Sequence, residues 1–170
     1  MGKNIYKVIL TTFLLLSINA NALSLTDDAI ARGINETCSS YLGQIEKSYN
    51  LNGLNITIAN PESPTLFPSL HILSQQNIDG SSTFSATLTP DEEYCYLSTV
   101  LVTFINNKTC GEISQLKLEA NPGFQASNSD DGRFTVISPL NNISNYTLIL
   151  TTTSENSCTM TESQMQWPGR

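Results

Sequence analysis

The feature that most constrains the fold is a change in the spacing of apolar side chains near Gly53. Before it, Ile30, Ile34, Tyr41, Leu42, Ile45 and Tyr49 recur every three to four residues, with Cys38 on the same stripe. That is the period of a helix with one buried face. After it, Leu54, Ile56 and Ile58 alternate with polar residues, the period of a strand. The helix is expected to start at Thr26, which can cap the free backbone donors of the first turn. Asp27 and Asp28 sit where the helix dipole favours anions, and Leu25 can staple to Ile30. Asn50, Asn52 and Gly53 end it between Tyr49 and Gly53.

The rest of the chain reads as short extended segments separated by turn residues. Strands are expected over 66–74, 82–89, 94–105, 113–119, 133–138, 146–153 and 158–165. Asp79-Gly80, Asn106-Asn107, Asn121-Pro122-Gly123, Asp131-Gly132 and Ser154-Glu155-Asn156 supply the intervening turn chemistry. Pro68 demotes the 66–74 segment to an edge strand or an extended loop, because proline cannot donate to a central ladder. The longest strand, Tyr94 to Ile105, places Cys95, Leu97, Leu101 and Ile105 on one face. Tyr94, Tyr96, Val100, Val102 and Phe104 lie on the other. Both faces are largely apolar, so the second side needs a cover of its own: another layer, a bent sheet or a partner. The expected fold class is α+β. One N-terminal amphipathic helix packs on an antiparallel, hairpin-connected, meander-like sheet of about 5–7 strands, tied by two disulfides. No internal repeat is evident.

Residues 1–22 have the form of a cleaved secretory signal peptide. Lys3 and Lys7 precede an apolar run from Val8 to Ile18, and Ala20-Asn21-Ala22 is a small-x-small cleavage site. The run is too short to span a bilayer, so no membrane anchor is expected. A single globular domain, residues 23–170, is left, with a tail expected to fray over 167–170. The cleavage site favours bacterial export, to the periplasm or the extracellular space. Cys38, Cys95, Cys110 and Cys158 all fall in the exported part, where an even number of cysteines implies two bridges. A tight turn at Asn106-Asn107 would set Cys110 opposite residues near 103, which disfavours a Cys95–Cys110 bridge. The preferred pairing is Cys38–Cys110 with Cys95–Cys158.

Charge excludes some partners. The chain has 8 Lys+Arg against 15 Asp+Glu, and removing residues 1–22 leaves 6 basic residues and a net charge of −9. Six scattered cations cannot form the basic stripe that nucleic acid requires. Only 14% of the residues are charged, while Ser, Thr and Asn make up 56 of 170, so neutral polar groups cover most of the surface.

No catalytic constellation is legible. His71 is the only histidine, and no Gly-x-Ser-x-Gly elbow or comparable nucleophile motif accompanies it. It is expected to be half-exposed, on an edge segment between Leu70 and Ile72. Asp91-Glu92-Glu93 and Asp130-Asp131 fall at turns and read as solvated surface. An EF-hand alignment on Gly132 puts Ser127 and Ser138 where carboxylates are required. Cysteine spacings of 57, 15 and 48 residues hold no zinc knuckle, so no metal is expected. The absence of a phosphate loop, dinucleotide fingerprint or haem-attachment motif argues against a cofactor. Asn-x-Ser/Thr sequons at Asn35, Asn55, Asn107, Asn142 and Asn145 are about as many as composition alone supplies.

The expected function is therefore that of an exported, non-enzymatic binding or inhibitor-like module acting through protein–protein interaction. Its acidity favours a basic partner by electrostatic steering. Tyr94, Tyr96, Phe104 and His71 are the candidate surface residues. The alternative is a small secreted hydrolase or ligand-carrying domain with a pocket between helix and sheet.

Overall fold

The computed structural model describes residues 23–141 and 145–166. The expected signal peptide, the expected frayed tail and the sequon at Asn142 lie outside these residues. The described chain is α+β, with three helices and one eight-stranded antiparallel sheet tied by two disulfides.

The single N-terminal helix expected from the apolar stripe is two helices, α1 (Leu25–Ala31) and α2 (Glu36–Ser48). The break has a local cause. Gly33 takes a left-handed φ of +75°, and the Asn35 side chain caps α2 by accepting from the N–H groups of Thr37 and Cys38. The first cap is Ser24, whose hydroxyl accepts from the Asp27 N–H at 3.0 Å. Thr26 instead donates its hydroxyl to Glu46 at 2.6 Å, and the Leu25 N–H reaches the same carboxylate at 2.6 Å. These bonds strap α1 to α2.

The strands are β1 (Leu54–Ile58), β2 (Ser69–Asn77), β3 (Gly80–Asp91), β4 (Tyr94–Asn106), β5 (Phe124–Asn128), β6 (Phe134–Pro139), β7 (Tyr146–Ser154) and β8 (Ser157–Gln166). Pro68 ends just before β2, so it removes no ladder donor. β2 accordingly pairs on both sides and is not the edge strand or loop expected. The segment 113–119 is not a strand but the body of α3 (Cys110–Ala120). Thr109 and Glu112 form a full capping box, the Thr109 N–H donating to the Glu112 carboxylate at 2.7 Å. That box nucleates a helix where alternation alone suggested extension.

The sheet order is β1-β2-β3-β4-β8-β7-β6-β5. The described chain thus repeats one architecture: helices α1 and α2 followed by four meandering strands, then helix α3 followed by four more. The two fourth strands, β4 and β8, pair antiparallel at the centre, and the five-residue strands β1 and β5 form the two edges. Each half has its own buried cluster. Leu25, Leu42, Leu73, Phe84, Leu88 and Leu97 belong to the first; Ile113, Ile137, Leu148, Leu150 and Met160 belong to the second.

The disulfides follow this repeated architecture and correct the expected pairing. Cys38 on α2 bonds Cys95, the second residue of β4; Cys110 on α3 bonds Cys158, the second residue of β8. Each bridge pins a helix to the fourth strand of its own half, whereas Cys38–Cys110 and Cys95–Cys158 would have crossed between halves. Cys158 lies opposite Ile105, on the same side of the sheet as Cys95, so all the helices sit on one face.

Candidate functional site

Strand parity decides which side chains face the helices and which do not. On β4 the odd-numbered residues face the helices, and Cys95 and Leu97 among them are 1% exposed. The even-numbered residues face away. The cross-strand partners of those residues define the opposite side of the whole sheet, and no layer of the described chain covers it.

The composition of this open face is unusual. The row through Val102 reads Thr83, Val102, Thr161, Ile149 and Val136 across five strands. The row through Phe104 reads Ser81, Phe104, Thr159, Thr151 and Phe134. Leu54, Ile56 and Ile58 extend it over β1. Among the described residues, the only charge that the ladders place on this face is Asp91, at the far end of β3. The face is a mosaic of β-branched, aromatic and hydroxyl side chains, well suited to a pleated surface. A shallow depression of about 300 Å³ lies beside Tyr96, lined by Thr87, Ser98 and Met165.

Three of the four candidate surface residues meet here. Tyr94, Tyr96 and Phe104 are 41%, 36% and 38% exposed and share this face. His71 does not join them. It lies on the helix side of β2, fully buried, with Thr57 Oγ1 at 3.0 Å from Nδ1 and Ser69 Oγ at 2.9 Å from Nε2. Burial holds its pKa down at about 4; the nearby Asp28 carboxylate and Arg32 guanidinium act in opposite directions and more weakly. The expected half-exposed edge histidine is therefore a neutral core residue, because β2 is interior and odd-numbered positions face the helices. Phe134, Val136 and Ile149 complete the open face from the second half. Sequence reading missed their role, although projecting each strand by parity and joining the projections would have grouped them.

The helix side carries two further features. A groove of about 820 Å³ opens between α3 and the β2–β3 hairpin tip, floored by Thr103, Ile105 and Met160 and walled by Ile78, Leu116 and Lys117. At the seam between the halves, Lys117 donates to Glu162 at 2.8 Å, and Glu162 also takes a hydrogen bond from Tyr146. Burial, then the Glu162 charge, raises the pKa of both Tyr146 and Tyr49. These groups are mutually satisfied and tie α3 to β8.

The acid pairs stay at turns. Asp91-Glu92-Glu93 spans the end of β3 and the β3–β4 connection. Asp131 accepts from the Ser129 hydroxyl and the Arg133 N–H, which lowers its pKa. Among the described residues, no group of three His, Cys, Asp or Glu side chains converges as a metal site. No described helix is long and apolar enough to cross a membrane. Comparison with protein-family models, with curated proteins and with solved structures finds no match.

Proposed function

We propose that this protein is an exported, non-enzymatic binding module that docks a protein partner on its open sheet face. The observation that carries this reading is the face itself: eight strands wide, with Asp91 the only charge that the ladders place on it among the described residues, and studded with half-exposed aromatic and β-branched side chains. A surface of apolar and neutral hydroxyl side chains with charge nearly absent resembles interface cores, where charge is depleted and aromatics are enriched. The two disulfides are compatible with export, to the bacterial periplasm or the extracellular space.

A photo-crosslinking amino acid at position 102 tests this directly. It should capture a defined protein partner, and capture should be lost when Phe104→Asp is added. The same probe at position 30, on the exposed side of α1, should capture nothing. Equal capture from both positions would refute the proposal.

The groove beside α3 supports a second reading, a ligand-carrying domain, because its volume and apolar floor suit a small amphiphile. Saturable, stoichiometric binding of an apolar dye that Leu116→Lys abolishes would favour it. Hydrolysis of a generic ester or glycoside would favour the hydrolase form of the same reading.

A further inference from the structure

The open face has a size, a charge pattern and a hydrogen-bonding character that point to one occupant. We infer that it docks a second copy of this chain, two sheets packing face to face about a two-fold axis. This rests on reading the face as a docking surface and adds the identity of the partner.

Size comes first. Eight strands spaced about 4.8 Å apart span roughly 34 Å, and six to seven residues at about 3.4 Å each give roughly 20–25 Å along them. The footprint is on the order of 700–850 Å², close to the roughly 800 Å² per partner that a standard stable interface buries. The right-handed twist of the sheet does not prevent contact, since two sheets of the same hand stack aligned at about −30°.

Charge pattern and hydrogen bonding then select the partner. In a two-fold interface each patch meets its own copy, so any charge near the axis would face itself and repel. The ladders place only Asp91 on this face among the described residues, and it lies at the end of β3, away from the central pair of strands. The polar positions in the middle are hydroxyls: Thr83, Ser85, Thr159, Thr161 and Ser163. A hydroxyl donates and accepts equally well, so it can be satisfied by another hydroxyl, which a lysine or a glutamate cannot do with its own kind. A basic partner would instead be recognised by carboxylates, and the acids of this chain lie elsewhere.

Salt dependence separates the two cases. Each copy carries a net charge of −9 once residues 1–22 are removed, so self-association is opposed by long-range repulsion that salt screens. Raising sodium chloride from 50 to 500 mM should tighten the dimer several-fold, whereas a complex with a basic protein should weaken.

The test is sedimentation of the oxidised protein across 1–200 µM, with Val102→Asp and Thr161→Arg as face variants and Ile30→Asp as a control. The expected result is a concentration-dependent dimer, strengthened by salt and unchanged in the control. Because a two-fold contact repeats each substitution, each face variant should weaken it at least ~100-fold. Circular dichroism and intact disulfides establish that the variants fold; if Val102→Asp does not, Thr161→Arg decides. A protein monomeric at 200 µM in 500 mM salt overturns self-docking. In that case, position-102 crosslinking to a different protein keeps the docking face, and no crosslink at all overturns that reading as well.

Discussion

His71 offers the most quantitative test of how this fold is built. The imidazole is fully buried on the helix side of β2, between the hydroxyls of Thr57 and Ser69, with Asp28 of α1 and Arg32 at the C-terminal cap of that helix nearby. Those two side chains pair with each other at 3.1 Å, so their effects on the ring oppose. The dominant influence is loss of solvent, which disfavours the charged form and lowers the pKa from 6.5 to about 4. Above pH 6.5 the ring is neutral in both folded and unfolded chains, and the folded protein has its full stability. Between pH 6.5 and about 4 the unfolded chain binds the proton and the folded one does not, so stability falls as pH falls. At about 1.4 kcal/mol per pH unit, the loss across this window is about 3 kcal/mol. Below about pH 4 both states are protonated and the histidine contributes no further slope.

The measurement is clean because the chain has one histidine. Its ring C–H signals in a proton NMR spectrum should stay at their neutral positions down to about pH 5. Urea unfolding at pH 7.0, 5.5 and 4.5 should show the corresponding loss of stability, and His71→Gln should lose most of that slope, the remainder coming at the acid end from carboxylates such as Glu112 and Asp131. A ring that titrates near 6.5 in the folded protein would refute the buried assignment. So would a pH slope undiminished in His71→Gln.

Two backbone predictions concern the frame that holds the sheet. A Cβ added at Gly80 would sit 1.9 Å from the Phe104 carbonyl oxygen at a φ of +154°, so Gly80→Ala should cost about 3 kcal/mol in thermal unfolding. Gly132 has a φ of +69° but open space around it, and Gly132→Ala should cost only about 1 kcal/mol. The Cys110–Cys158 bridge closes a separation of 48 residues. Replacing both cysteines with alanine should lower stability by about 4 kcal/mol on the chain-entropy account, measured by denaturant unfolding.

Much of this architecture was legible. The helical stripe from Ile30 to Tyr49 is buried at Ile34, Cys38, Leu42 and Ile45, and most strands fall where alternation and turn residues put them. The failures have specific causes. Phe124–Asn128 reads as polar connector because it is an edge strand with mostly exposed residues, so no alternation was imposed on it. In α3 only Cys110 and Ile113 are buried, too few to write a helical period, although the capping signal Thr109-x-x-Glu112 was present. The repeated architecture has one echo in the sequence, Asn35-Glu36-Thr37-Cys38 against Asn107-Lys108-Thr109-Cys110, although Asn35 caps α2 while Thr109 caps α3. Recognising Cys38 and Cys110 as corresponding helix residues would have made each cysteine a partner within its own half. On the candidate face, the apolar even-numbered residues of β4 were visible, but not that seven other strands would extend the surface they begin. That extension depends on cross-strand register, which no single segment encodes.

The two faces of β4 allow the proposed docking function to be separated from folding along one strand. Leu97 and Val102 differ in parity and therefore in environment: Leu97 is 1% exposed beneath the helices, Val102 is 36% exposed on the open face. Leu97→Asp would bury an uncompensated carboxylate next to Cys95 and Leu88, and should unfold the first half outright. In the free protein, Val102→Asp meets solvent and the hydroxyls of Thr83 and Thr161, and should cost no more than about 1 kcal/mol. Both disulfides attach on the helix side, so neither constrains the surface that Val102→Asp alters. Loss of docking with retained stability at position 102, set against loss of stability at 97, would assign the open face to recognition. Comparable destabilisation at both would mean that the open face is held in the fold by contacts within the monomer, and the case for a docking surface would fail.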